Sequence, residues 1–184
     1  MVGIDAKGLR LIRACFGPSG LAALLLVAIS LLAPSCGFKA QAAESVVDAL
    51  GRTVAPGPAT RILTLGSDVT EIVHALGAGE RVVGVDRGSK YPEAVASRPN
   101  VGYRRQLSVE GLVALNPDLI LASEDSGPPE AIEVLKSLAV PTVFVPQDNS
   151  PEGIERKITL IAAALGREEA GKAAEAARAA FEEG

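Results

Sequence analysis

Tyr103, Arg104 and Arg105 stand side by side in the segment Val101-Gly102-Tyr103-Arg104-Arg105-Gln106-Leu107-Ser108-Val109-Glu110. A phenol is a weak ligand at neutral pH because its ordinary pKa is about 10. A hard trivalent metal and neighbouring guanidiniums both favour the phenolate, so this spacing suits a tyrosinate metal ligand backed by cations. The residue types alone admit a second reading, in which Tyr103 packs at a domain edge and both arginines are solvated. Glu110 follows in the first turn of a helix that Ser108 would cap, where a carboxylate gains from the helix dipole.

Elements that would position this segment are legible on both sides of it. Ile62-Leu63-Thr64-Leu65, Val82-Val83-Gly84-Val85, Leu119-Ile120-Leu121-Ala122 and Thr142-Val143-Phe144-Val145 are short, almost uninterrupted apolar runs. Such runs suit parallel strands buried on both faces. Between the first two, Val69, Ile72, Val73 and Leu76 recur at helical spacing, Asp68 and Glu71 have the spacing of a capping box, and Gly77 supplies a stop. A helix is expected from Ser108 to Leu115, and another from Pro128-Pro129-Glu130 to about Ala139. Strand and helix alternate, which predicts an α/β doubly wound lobe over residues 44–148. From Pro151 an Ala-rich helical pattern runs to Phe181, weakened only at Gly166 and Gly171, and is expected as the start of a long helix over 149–184.

Several other groups compete for a role. Lys90 and Tyr91 follow the second strand in Asp86-Arg87-Gly88-Ser89, at the carboxyl edge where open α/β sheets bind ligands. Lys90 or Arg87 would steer anionic groups there; a solvated loop charge is the plainer alternative. Ser67 either caps a helix or faces a ligand. His74, the sole histidine, falls on the polar face of its helix and reads as solvated. Gly77-Ala78-Gly79 follows a helix and precedes a strand, the reverse of a dinucleotide fingerprint, and Gly84 to Lys90 is too short for a phosphate loop. Ser67, His74 and Asp86 make no hydrolase triad, since Ser67 and His74 share one short helix and no nucleophile elbow is present. An exported α/β hydrolase is thus a poor alternative, and the chain reads as a binding protein, not an enzyme.

The first 43 residues read as a signal peptide. Lys7, Arg10 and Arg13 precede an apolar run from Leu21 to Leu32, and Ala40-Gln41-Ala42 follows. That run is shorter than the roughly 20 residues of a membrane span. Processing at Cys36 to a lipid anchor is the lesser alternative: the small Ser35 before it suits such a site, but Ala33 and Pro34 match the usual leucine-led box poorly. Both cysteines, Cys15 and Cys36, lie in this stretch, so no disulfide or thiolate site is expected beyond it. Cleavage after residue 43 would leave 14 Lys and Arg against 21 Asp and Glu, a net charge of −7. Such a surface is unsuited to nucleic acid.

Taken in order, the tyrosine segment, Thr64-Leu65-Gly66-Ser67-Asp68-Val69-Thr70-Glu71-Ile72-Val73, Leu76-Gly77-Ala78-Gly79-Glu80-Arg81-Val82-Val83-Gly84-Val85-Asp86 and Leu115-Asn116-Pro117-Asp118-Leu119-Ile120-Leu121-Ala122 resemble the haem-binding periplasmic receptors of ABC importers. These belong with the vitamin B12 and ferric-siderophore receptors. The resemblance runs from about Glu44 to the end and implies the N-terminal lobe of a two-lobed periplasmic binding protein, with a long interlobe helix after it and the second lobe absent from the chain. It implies haem as transported ligand, iron held by Tyr103, support of the phenolate oxygen by Arg105, and Arg104 or Lys90 at the propionates. It also implies docking of Glu110 on arginines of an ABC permease, and an outer-membrane receptor system upstream. A ferric siderophore or corrinoid is the alternative ligand, with Tyr103 packing against a macrocycle.

Overall fold

The computed structural model describes residues 45–182; the expected signal peptide and Cys36 lie outside them. Among the described residues there are six strands: β1 (Val46–Val47), β2 (Thr53–Val54), β3 (Ile62–Leu65), β4 (Val82–Val85), β5 (Leu119–Ser123) and β6 (Thr142–Val145). The α-helices among them are α1 (Ser67–Ala75), α2 (Val109–Val113), α3 (Pro129–Ser137), α4 (Pro151–Ala164) and α5 (Glu168–Glu182). β3 to β6 form one parallel sheet in the order β4-β3-β5-β6, so the chain winds outward in opposite directions from β3 and β5. The doubly wound α/β expectation therefore holds.

Alternation along the strands explains why their sequences are apolar throughout. Ile62, Val82, Leu119, Leu121, Val143 and Val145 face one layer, with Val69, Val73 and Leu76 of α1 and Ile158, Ile161 and Ala162 of α4. Leu63, Leu65, Ile120, Ala122 and Phe144 face the other, with Leu112 of α2 and Ala131 and Leu135 of α3. Burying each Val or Leu side chain in these layers contributes about 1.5 to 3 kcal/mol.

Both sheet edges are covered. On the β6 side the turn after β1 docks, Ala49 N donating to Phe144 O at 2.8 Å. Buried Asp48 holds Arg52, which donates to Thr142 O at 2.6 Å and lies 5.0 Å from the Phe144 ring centroid. On the β4 side residues 99–102 run alongside: Val85 N donates to Pro99 O at 3.0 Å and Val101 N to Val85 O at 2.9 Å. An open strand edge invites pairing with other chains, and these two segments remove that opportunity.

Helix boundaries depart from the sequence reading in instructive ways. α1 begins after Gly66, which has no side chain to cap with, and Asp68 of the expected capping box lies inside the helix and pairs with Lys157 at 2.6 Å. Its end is as expected: Ala78 N reaches Val73 O and Gly77 N reaches His74 O around Gly77 at φ 72°, the Schellman arrangement. The same arrangement recurs at Gly166 (φ 61°), with Arg167 N on Ala162 O and Gly166 N on Ala163 O. It divides the expected single long helix into α4 and α5. α5 then folds back on α4, where Gly171 allows contact; a Cβ there would lie 2.7 Å from the Ala162 Cβ. His74 is also corrected: it is partly buried over Gly79, with Nε2 shielded from solvent. Burial and then Arg98 lower its pKa.

Candidate functional site

The carboxyl ends of β3, β4 and β5 meet where the winding reverses, the usual ligand crevice of an open α/β sheet. Residues 99–102, zipped to β4, carry Tyr103 to this edge, and Arg87 N donates to Gly102 O at 2.7 Å as the last rung. Gly102 turns the chain at φ 93°, a conformation that favours glycine, with its N–H on Asn100 Oδ1 at 2.8 Å. Beyond it, Gln106 N closes a turn on Tyr103 O at 2.8 Å. Gly127 N to Arg104 O and Leu107 N to Gly127 O, both 2.9 Å, tie the loop to the segment between β5 and α3. The tyrosine is thus held by backbone on both sides while its side chain stays only partly buried.

Three guanidiniums surround it. Arg87 lies over the ring, its Cζ 5.3 Å from the centroid, within cation–π range. Arg104 and Arg105 converge on a single carboxylate. Arg104 donates from Nε and Nη2 to the two oxygens of Asp125 at 2.9 and 2.8 Å. Arg105 donates from Nε and Nη2 to Asp125 Oδ2 at 3.2 and 2.6 Å, and Ser123 Oγ adds a bond of 2.7 Å to Oδ1. Asp125 in turn raises the pKa of both arginines through these bonds, and the nearby Tyr103 contributes in the same direction.

The two arginines hold the Asp125 carboxyl well below the usual carboxylate range, Arg104 first, against the opposing effect of burial. A depressed folded-state value adds stability that is complete above the unfolded-chain value near 3.8 and disappears as pH falls below it. Urea unfolding followed from about pH 6 down to about pH 2.5 should therefore show a loss of stability on the acid side that is shallower in Asp125→Asn. Acid limbs of equal slope would contradict this.

Beneath the loop a polar network fixes the strand ends. Asp86, fully buried, accepts from Gly66 N at 3.1 Å, Ser89 Oγ at 2.6 Å and Gly88 N at 3.0 Å. Ser89 Oγ and Thr64 Oγ1 each lie 2.8 Å from Thr70 Oγ1. Asp86 therefore locks the β3–α1 turn to the loop after β4, and is no member of a catalytic triad. Ser67 opens α1 and His74 sits at its far end.

The other expected residues disperse. Lys90 and Tyr91 are exposed on the loop after β4. Glu110 is exposed in the first turn of α2, and Ser108 is the N-cap residue without a side-chain bond. Arg105, expected at the phenol oxygen, hydrogen-bonds to Asp125, and Arg87 is the guanidinium on the ring. Asp125 was missed altogether. The signal for it was its place in Ser123-Glu124-Asp125, at the end of a strand that must reach the ligand edge, opposite two arginines in need of a carboxylate.

A family described as periplasmic binding protein matches residues 62–181. Among curated relatives, the vitamin B12-binding protein of Vibrio campbellii is 32% identical over 122 residues, which is 66% of this chain and 44% of that protein. The vitamin B12-binding protein of Yersinia pseudotuberculosis is 32% identical over 69% of this chain and 40% of its own length. The chain therefore spans less than half the length of these relatives. Among solved structures, the periplasmic haem-binding protein RhuT of Roseiflexus sp. RS-1 is 42% identical, with a TM-score of 0.61 over 63% of this chain and 44% of that one. The periplasmic haem-binding protein HutB of Vibrio cholerae is 34% identical, with a TM-score of 0.59 over 63% and 45%.

Proposed function

Since the chain belongs to the periplasmic binding protein family, we propose that it is the tyrosine-bearing lobe of an extracytoplasmic receptor that captures haem and delivers it to an inner-membrane ABC permease. The observation that carries this reading is the placement of Tyr103 at the carboxyl edge of the sheet, partly buried, with Arg87 over its ring and the Arg104 and Arg105 pair beside it. The phenolate would hold the iron, the cations would meet the propionates, and water would be excluded once the ligand is enclosed. Lys90, exposed on the neighbouring loop, would contribute long-range attraction more than contact. Glu110, exposed on the first turn of α2, would dock on cationic residues of the permease. The role is binding and handover, with no reaction catalysed, in the periplasm after removal of a signal peptide and downstream of an outer-membrane receptor.

Relatives named for vitamin B12 support a second reading, with a corrinoid as ligand. A corrinoid carries cobalt already ligated and amides in place of free propionates, so it would use neither the phenolate nor the arginine pair fully. Titration of the purified protein with hemin and, separately, with cyanocobalamin distinguishes them. A saturable Soret shift with hemin and at least about tenfold weaker binding of cyanocobalamin, or about 1.4 kcal/mol, is expected. Tighter binding of the corrinoid would overturn the haem reading.

A further inference from the structure

Asp125 stands out because its charge opposes what an anion-binding site needs, yet it is the most heavily hydrogen-bonded group at the sheet edge. Four guanidinium N–H contacts and the Ser123 hydroxyl converge on it, from 2.6 to 3.2 Å. It takes the Nε and Nη2 side of both arginines; among the described residues the Nη1 of neither has a hydrogen-bond partner. The side chains of Arg104 and Arg105 are 21% and 55% exposed, so both keep some surface for a ligand, Arg105 more than Arg104. Long arginine side chains free in solution lose considerable rotamer entropy when a ligand fixes them, and a carboxylate that fixes them beforehand removes that cost at the moment of binding.

Resting on the proposed function of the same site, we infer that Asp125 is a positioning residue that orders Arg104 and Arg105 into a two-pronged fork, and so makes the site select ligands with paired carboxylates over neutral analogues. Ser123, bonded to the oxygen that Arg104 Nε also uses, orients the carboxylate. The fork leaves Tyr103 to its separate task under Arg87.

Charge and positioning predict opposite results here. Asp125→Asn removes a negative charge beside the ligand; if charge alone mattered, a dianionic ligand would bind more tightly. Under the positioning role it binds more weakly. The experiment compares hemin with hemin dimethyl ester, whose propionates are neutral, on the wild-type protein, Asp125→Asn and Ser123→Ala. Wild type should prefer hemin by about tenfold or more. Asp125→Asn should lose most of that preference through weaker hemin binding while ester binding and the iron–phenolate absorbance stay the same. Ser123→Ala, which keeps every charge, should shift the preference in the same direction by a smaller factor, and serves if Asp125→Asn fails to fold. Hemin binding that is unchanged or tightened in the variants, with the preference intact, overturns the inference and leaves the proposed function standing. Absence of hemin binding in the wild type overturns both.

Discussion

On the proposed haem reading, Tyr103→Phe is expected to weaken hemin binding by on the order of 100-fold, or about 2.7 kcal/mol, and to abolish an iron–phenolate charge-transfer band. The variant removes one oxygen and little else. The backbone on either side of residue 103 is held by Arg87 N on Gly102 O and Gln106 N on Tyr103 O, neither of which involves the phenol. The ring also remains for Arg87 to cover. Loss of affinity is therefore expected without loss of fold, and thermal melts of the two proteins should agree to within a degree or two. A Tyr103→Phe protein that binds hemin as tightly as wild type would mean that Tyr103 only packs against the ligand.

Asp68→Ala is the second large effect, and it falls on stability. Lys157 of α4 is buried with 2% of its side chain exposed, and its ammonium group rests on Asp68 Oδ2 at 2.6 Å and Asn149 Oδ1 at 2.9 Å. Removing one partner of a buried pair leaves a charge without compensation and costs about 3 to 5 kcal/mol. Asp68 is one-third exposed and Asn149 remains, so the low end of that range, about 3 kcal/mol, is expected by urea unfolding. Lys157→Met in the same background should recover most of the loss, because an apolar side chain of similar length needs no counter-charge. Destabilisation below about 0.5 kcal/mol in Asp68→Ala would show that the pair is adequately solvated.

How far the sequence reached follows from which interactions are local. All four strands of the main sheet, their parallel arrangement and the stop at Gly77 were legible, because buried strands and Schellman ends are written in consecutive residues. The division at Gly166 needed only the same rule applied to a second glycine; the Ala-rich flanks on either side concealed it. The β1–β2 hairpin over β6 was not legible, since two-residue strands leave no periodic pattern and its anchor is Arg52 on a residue 90 positions away. His74 was misplaced for a related reason: helical periodicity located its face correctly but carried no information about Gly79 beneath it.

In the site itself, Tyr103, Arg104 and Arg105 could be singled out because they are adjacent, while their partners could not. Asp125 lies about twenty positions along the chain, and Arg87 meets Tyr103 only because residues 99–102 zip onto β4. Side chains that converge through sheet topology become visible once the strand order is known, and each of these sits at a strand's carboxyl end.

The most direct test of Tyr103 as iron ligand is resonance Raman spectroscopy of the hemin-loaded protein, excited in the charge-transfer band. Phenolate ring modes that are enhanced in the wild-type protein and in Tyr91→Phe, but lost in Tyr103→Phe, are the predicted result. A spectrum without phenolate modes, identical in wild type and Tyr103→Phe, would contradict it.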